Sequence, residues 1–539
     1  MADVNLHPLG ADLLTTLVFL PTLGALVLAF LPGSSKVAAK AIALVTSFLT
    51  FGVSVLLYRA FDPSIGVPEA FAIDRPWIPQ FGIRYQLGMD GLSLALVLLT
   101  TLLTVSVLLV SCGQEIERIK GYLIAFLLLE TGMLGSLVAL DTLLFYVFWE
   151  VMLVPMYFII GVWGGKRRIY ATMKFFLFTM AGSLLMFVAI LFTANVHLHA
   201  TGIQSFSLAD WTRAASSGAW HLAPATEALL FGAFALAFLV KVPLWPLHTW
   251  LPDAHVEAPT GGSIILAGVL LKLGTYGLLR FAYPLFPHAA ARYGPLLAVL
   301  ALIGIVYGAW VAAAQKDMKK LVAYSSVSHL ALVVLGIVAG TGAALSGAIF
   351  QMIGHGLTTG LLFLLVGVLY SRRHTREMAD YGGIAARVPV TTTLFLIATL
   401  GSIGLPGLNG FIGEFLILGG VFQVSVVWAA VAATGMVLGA IYLLTLVQKV
   451  FWGPETVPAN RTLTDINGWE LAGAFPLVAL IVLLGVFPRP LLTLVEGSVY
   501  TLQRAAVRVA PENVRPAAGT GLKRPGVDER AAPRAEAAR

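Results

Sequence analysis

Residues 235–248 read Ala235-Leu-Ala-Phe-Leu-Val-Lys241-Val-Pro243-Leu-Trp-Pro246-Leu-His248, a lysine inside an apolar run followed closely by two prolines. Each proline lacks a backbone donor and clashes with the carbonyl four residues earlier, so a helix entering this stretch is predicted to break just after Lys241. Lys241 then stands at the C-terminal end of a half-helix, where the macrodipole favours a cation. A full charge at hydrocarbon depth costs from about 2.5 to over 10 kcal/mol, and three more charges raise the same question. They are Glu150 in Phe148-Trp149-Glu150, Lys272 in Leu270-Leu-Lys272-Leu-Gly, and Glu414 in Gly401-Ser-Ile-Gly404-Leu-Pro406-Gly407-Leu-Asn-Gly410-Phe-Ile-Gly413-Glu414. In the last stretch the break precedes the charge, and Glu414 is expected in the opening turn of the second half-helix, at the positive dipole end. Interrupted helices bearing ions near mid-bilayer, in matching places of two halves, point to transport.

The whole chain supports that reading. Of 539 residues, 58% are apolar and 11% charged, against roughly 25% charged in soluble domains. Apolar runs of about 20 residues recur along the sequence, so the fold is expected to be an all-α polytopic membrane protein. About fourteen spans are expected, at 13–31, 38–58, 91–111, 121–140, 142–162, 173–194, 227–250, 262–283, 295–314, 321–340, 343–370, 390–420, 424–450 and 471–487. The run 13–31 has no basic residue ahead of it and no small-residue cleavage site, so it is expected to remain as a mature helix. Spans four to eight and nine to thirteen form two five-helix blocks, each broken in its fourth helix. An odd helix count per block would invert the second copy relative to the first. The segments are then 1–120 for the first three helices, 121–283 and 295–452 for the two units, 453–510 for a last span and a short surface helix, and 511–539 for a tail. That tail is rich in Ala, Pro, Arg and Glu and is expected to be disordered.

The basic residues give a topology. Loops leaving odd-numbered spans carry Lys36 and Lys40, Arg118 and Lys120, Lys166 to Arg168, Lys316, Lys319 and Lys320, and Arg372, Arg373 and Arg376. By the positive-inside rule that face is cytoplasmic, and both termini face the other side. A helix near 491–509, with Arg504 and Arg508, is expected along the surface. The net charge of +7 does not indicate nucleic acid, because it resides in these loops and the tail. The one cysteine, Cys112, excludes intrachain disulfides and thiolate-held iron–sulfur or zinc sites. No Gly-rich dinucleotide fingerprint is present, and no cofactor or metal is expected in this chain.

Each buried charge also has an ordinary use. A lysine beside a kink snorkels or binds a freed carbonyl, Glu150 near a helix end reaches water, and a lone histidine such as His329 or His355 is commonly a satisfied core residue. Lys272 has apolar neighbours on both sides and fits those uses least. All of them together would have to be coincidental.

At these residues the chain resembles a known family, the antiporter-like membrane subunits of respiratory complex I and of multisubunit sodium/proton antiporters. The matching stretches are Phe148-Trp-Glu150-Val-Met-Leu-Val-Pro155-Met-Tyr, then Lys241-Val-Pro-Leu-Trp-Pro-Leu-His248-Thr-Trp-Leu-Pro-Asp253-Ala-His255-Val-Glu-Ala-Pro259, and Gln315-Lys-Asp317-Met-Lys-Lys-Leu-Val-Ala-Tyr324-Ser-Ser-Val-Ser-His329. They cover most of residues 90–455. In that family the span-twelve site is usually lysine, but glutamate in the M-type subunits of bacterial NADH:quinone oxidoreductase, which Glu414 matches. The resemblance implies two inverted five-helix units within fourteen helices, in a bacterial inner membrane. It implies Glu150 and Lys241 as a coupled pair, Lys272 as a relay with His329 and His355 along the path, and Glu414 as the terminal site. His248, seven residues beyond Lys241 and on the same helical face, is a further proton-transfer candidate, and Glu130 is a second buried carboxylate. It also implies neighbours of the L-type and N-type, with NADH, FMN, iron–sulfur clusters and quinone all handled by partner subunits. A subunit of a sodium/proton antiporter, or of the membrane arm of a related hydrogenase or dehydrogenase, is the alternative.

Overall fold

The computed structural model describes residues 7–220 and 222–507; Arg508 and the expected disordered tail lie outside the described residues. Among those residues, thirteen helices are long and apolar enough to cross a membrane, and the shorter Pro389–Ser402 and Asn409–Phe422 occupy the run expected as span twelve. The spans Gly91–Cys112, Thr260–Leu285, Met318–Ala339 and Gly342–Arg373 form the interior, while Lys36–Ala60, Arg168–Thr201 and Val426–Phe451 keep outward apolar faces. Lipid is as apolar as leucine, so such helices are held by close packing and by polar contacts rather than by exclusion from water. Gly268 and Gly356 provide one such contact: a Cβ on Gly356 would stand 2.9 Å from the Gly268 carbonyl oxygen. Side chains at these two positions would push apart the segments that carry Lys272 and His355.

The helix Pro224–Lys241 ends at the residue the prolines select. The freed carbonyls find new donors. Leu244 N donates to the Leu239 oxygen at 3.0 Å, and the Trp250 indole N–H to the Val240 oxygen at 2.9 Å. The chain resumes helix at Trp250–Glu257. Span twelve breaks between Ser402 and Asn409, with Gly404 at φ 75° and Gly407 at φ 91°, a left-handed backbone open to glycine. Glu414 lies six residues into Asn409–Phe422, in the second turn rather than the expected opening turn. Helix resumes as soon as the Pro406-Gly407 turn is complete, so the dipole of the helix start acts on Glu414 only weakly.

Two interruptions were not expected from the sequence. Span five divides into Thr142–Val151 and Leu153–Trp163, because Pro155 clashes with the carbonyl of Val151. Span eight is not one regular helix: π-helical turns at Leu266–Leu270 and Leu278–Ala282 flank Leu271–Gly277, and such turns often mark functional sites. The one β-sheet among the described residues is an antiparallel hairpin, Ala70–Ile78 with Ile83–Met89. It delivers Asp90 to cap Gly91–Cys112 through Ser93 N at 3.0 Å.

The loops leaving odd-numbered spans meet on one face. Lys40 Nζ donates to the carbonyls of Cys112 and Gln114 at 2.8 and 3.1 Å, Trp163 reaches the Glu117 carbonyl at 2.7 Å, and Gly165 N the Glu257 carbonyl at 2.8 Å. Arg376 bridges the Val256 carbonyl at 2.6 Å and Asp317 at 3.1 Å, and Arg372 pairs with Glu470 at 2.7 Å. The lysines at helix ends thereby satisfy terminal carbonyls as well as setting charge. Lys319, counted among the basic loop residues, is buried, with Nζ donating to the Ala258 carbonyl at 2.6 Å.

On this face Asp465 holds the start of Pro389–Ser402, accepting from Val390 N, Thr391 N and Oγ1, and Ile466 N at 2.6–3.0 Å. Burial raises its carboxyl pKa, but these bonds more than offset that and hold it below the usual aspartate value. A depressed folded pKa adds stability above the unfolded pKa, about 3.9, and loses it as pH falls through the folded value. Asp465→Asn is therefore expected to lower the thermal midpoint at pH 7, with the difference from the parent closing as pH falls below about 4. An equal gap at pH 7 and pH 3 would refute this role.

Candidate functional site

Two prolines place Lys241 and a third places Glu150, each at the end of a half-helix. Lys241 is buried, its Nζ 4.9 Å from the Trp149 ring centroid and without a hydrogen-bonding protein partner. The charge that acts on it is Glu150, half-buried beside Tyr146, with Oε1 unpartnered. A cation over an indole face retains favourable electrostatics without a fixed hydrogen bond. Lys241 is thus held near an opposite charge but not locked to it.

Lys272 is engaged differently. Its Nζ donates to the Ala267 carbonyl in the preceding π-helical turn and meets His355 Nδ1 at 2.7 Å. The His355 ring lies 5.8 Å, centroid to centroid, from His329. His329 Nδ1 meets Glu414 Oε1 at 3.1 Å, and His329 Nε2 lies 3.5 Å from the Tyr442 hydroxyl. Gln351 Nε2 also donates to Glu414 Oε1 at 3.2 Å. All four titratable side chains are buried. Lysine, two histidines and glutamate therefore lie in one row of titratable groups, hydrogen-bonded at both ends and joined in the middle only by the approach of the two rings, with His355 Nε2 unpartnered.

The second carboxylate oxygen, Glu414 Oε2, is buried and unpartnered, and a Cβ on Gly404 would stand 2.7 Å from it. Gly404→Ala would meet both that oxygen and a left-handed φ, a strain of about 1–3 kcal/mol. It is expected to lower the thermal midpoint; a variant as stable as the parent would show that the carboxylate does not occupy this position.

Two candidates fall outside the row. His248 was placed by helical periodicity, but the helix ends at Lys241 and residues 242–249 form turns, so that periodicity does not apply. Its ring packs instead 5.2 Å from Tyr307 and 6.3 Å from Tyr324. Glu130 is fully buried on Ile119–Val138, with neither carboxylate oxygen held by a hydrogen bond. Other residues escaped the sequence reading. Gln351 and Tyr442 touch the row through side chains with no charge to flag them. His255 stacks on Phe363 at 4.5 Å with both ring nitrogens unpartnered, and the charges of Lys319 and Lys272 both act on it. Its position in Asp253-Ala-His255 was a visible signal; the burial of Lys319 was not.

Comparison with known proteins shows what the chain as a whole is similar to. The family model described as NADH:quinone oxidoreductase/Mrp antiporter, TM, matches residues 139–439. A Rhodobacter capsulatus protein named NADH-quinone oxidoreductase subunit M is 46% identical over 494 residues, covering 90% of this chain and 96% of that one. A chain in the structure of respiratory complex I from Thermus thermophilus with bound NADH superposes with a TM-score of 0.81 at 35% identity, covering 92% of this chain and 99% of the other. A chain of the Mrp complex from Dietzia shares the fold, with a TM-score of 0.77 at 19% identity, covering 92% of this chain and 100% of the other.

Proposed function

The chain belongs to the NADH:quinone oxidoreductase/Mrp antiporter transmembrane family, and from that premise we propose that its buried row of titratable side chains carries protons. The chain is a multi-pass membrane subunit of NADH:quinone oxidoreductase, a proton-translocating component of the membrane arm. The observation that carries the site assignment is the run of contacts Lys272–His355–His329–Glu414, at 2.7 Å, 5.8 Å between ring centroids and 3.1 Å. Glu150 and Lys241 form the coupled pair at one end, and Glu414 is the terminal site at the other. The units 121–283 and 295–452 are inverted copies, each with its break beside its charge. His248 and Glu130 serve as side branches rather than as members of the row.

The pair supplies part of the work. At about 7 Å and an effective dielectric of 20, opposite unit charges attract by roughly 2.4 kcal/mol. Moving one charge against about 180 mV requires around 4 kcal/mol. Separating this pair alone falls short, so the rest comes from a drier site or from charges in neighbouring subunits. The electrons, and with them NADH, FMN, iron–sulfur clusters and quinone, belong to partner subunits; this chain is the effector.

The exposed break supports lateral partners. Leu405, Pro406 and Gly407 are exposed between two helices of 14 residues each, which puts irregular backbone about 21 Å from either end. Such backbone does not face lipid at that depth. A neighbouring subunit covers it, L-type on one side of the chain and N-type on the other. The loop-rich basic face is cytoplasmic, in a bacterial inner membrane, with both termini periplasmic. Two measurements test these readings. Normal proton stoichiometry in Glu150 and Lys241 variants would overturn the pump assignment, and purification without NADH dehydrogenase partners would favour an antiporter.

A further inference from the structure

Two side-chain stripes run next to each other on Thr142–Val151. Phe145 and Trp149 form one, Tyr146 and Glu150 the other, each pair four residues apart and so on a shared helical face. The first stripe is locked. Trp149 is 1% exposed, with its ring 5.5 Å from Phe145 and 5.6 Å from Phe238, centroid to centroid, and Phe145 lies in turn 4.3 Å from Phe281. Phe238 belongs to the half-helix that ends in Lys241, and Phe281 to the second π-helical turn of span eight. Buried rings from three spans thus pack together around the indole, and a Cβ on Gly277 would collide with the Phe238 ring that clamps it. The second stripe is loose. Tyr146 and Glu150 are only half-buried, Tyr146 stacks on Phe187 of span six at 4.8 Å, and Glu150 Oε1 has no partner. Glu150 acts on both Tyr146 and Lys241.

The Lys241 ammonium lies between these unequal stripes, 4.9 Å from the Trp149 centroid and without a hydrogen-bonding protein partner. We propose that Trp149 is a positioning residue, the fixed seat on which this ammonium stays when Glu150 turns from it toward Tyr146, so that the carboxylate and not the lysine is the moving member of the pair. The negative face of a desolvated indole attracts a cation and leaves no hydrogen bond to be broken when the pair opens. The strength of the seat then sets how often the open pair with a charged lysine is populated. This rests on the reading that Glu150 and Lys241 are the coupled pair, and it assigns to Trp149 a part in the reaction beyond filling the core.

The test weakens the ring face and leaves its shape. Trp149 is replaced in the assembled complex, by amber suppression, with tryptophan carrying one, two or three fluorines, which step by step withdraw negative charge from the face that meets the cation. NADH-driven proton translocation is then followed in inverted membrane vesicles. A graded fall is expected, reaching about tenfold at three fluorines; a packing role predicts no gradient. Rates that stay level, rise, or drop equally in all three derivatives overturn the seat. Lys241→Ala, run alongside, separates the two readings. Loss of translocation there with a level fluorine series removes the seat and leaves the pair standing, whereas normal translocation in Lys241→Ala removes the pair and the seat with it. If the fluorinated complexes do not assemble, Trp149→Phe and Trp149→Leu take their place. Phenylalanine keeps a weaker ring face and is expected to retain several-fold more translocation than leucine; equal rates overturn the proposal.

Discussion

Lys241→Ala in the assembled complex is expected to cut proton translocation and coupled quinone reduction below about a tenth of the parent rate, a loss of at least ~1.4 kcal/mol of barrier lowering, while the complex still assembles. Assembly survives because the break is made by Pro243 and Pro246, and the carbonyls they free are held by Leu244 and the Trp250 indole; none of this needs the ammonium. What is lost is the cation over Trp149 on which Glu150 acts. Glu150→Gln probes the same pair from the other side, at constant side-chain volume, and removes the charge that acts on Lys241. Both variants are read as protons moved per NADH oxidised in inverted vesicles, with assembly checked by co-purification of partner subunits. Full turnover at normal stoichiometry in both would eliminate the pair as a coupling device.

Glu414 is the second critical position, and here the chemistry of the replacement should matter. Glu414→Ala leaves His329 Nδ1 and Gln351 Nε2 facing a cavity and ends the row without a titratable group. Glu414→Lys is expected to keep substantially more activity. The Gln351 amide can turn its unpartnered Oε1 toward an ammonium, and His329 can accept through a neutral ring nitrogen. Expected proton translocation is below about a tenth of the parent for alanine and several-fold higher for lysine. Equal loss in the two would make the carboxylate a packing element rather than a proton carrier.

The two predicted breaks were legible because proline chemistry is local: a missing donor and a clash four residues back need no knowledge of the fold. The break beside Glu150 follows from the same rule at Pro155, yet an uninterrupted apolar run concealed it. His248 shows the converse error. Its spacing from Lys241 was read along a helix that Pro243 had already ended, so the ring turned to Tyr307 and Tyr324 instead. Glu414 was placed at a dipole end, whereas its nearest determinants are side chains of two other spans.

Membrane-length apolar runs, charges inside them, proline breaks and the clustering of basic loops are all properties of short stretches of chain, so the order of residues alone determined the helical membrane architecture and nominated Glu150, Lys241, Lys272 and Glu414. Which of these meet was decided by tertiary structure. Lys272 reaches His355 because two helices cross at Gly268 and Gly356, where no side chain keeps them apart, and His329 reaches Glu414 across spans 85 residues apart in sequence. A contact between distant segments depends on the packing of every helix between them, which no local pattern of residues encodes.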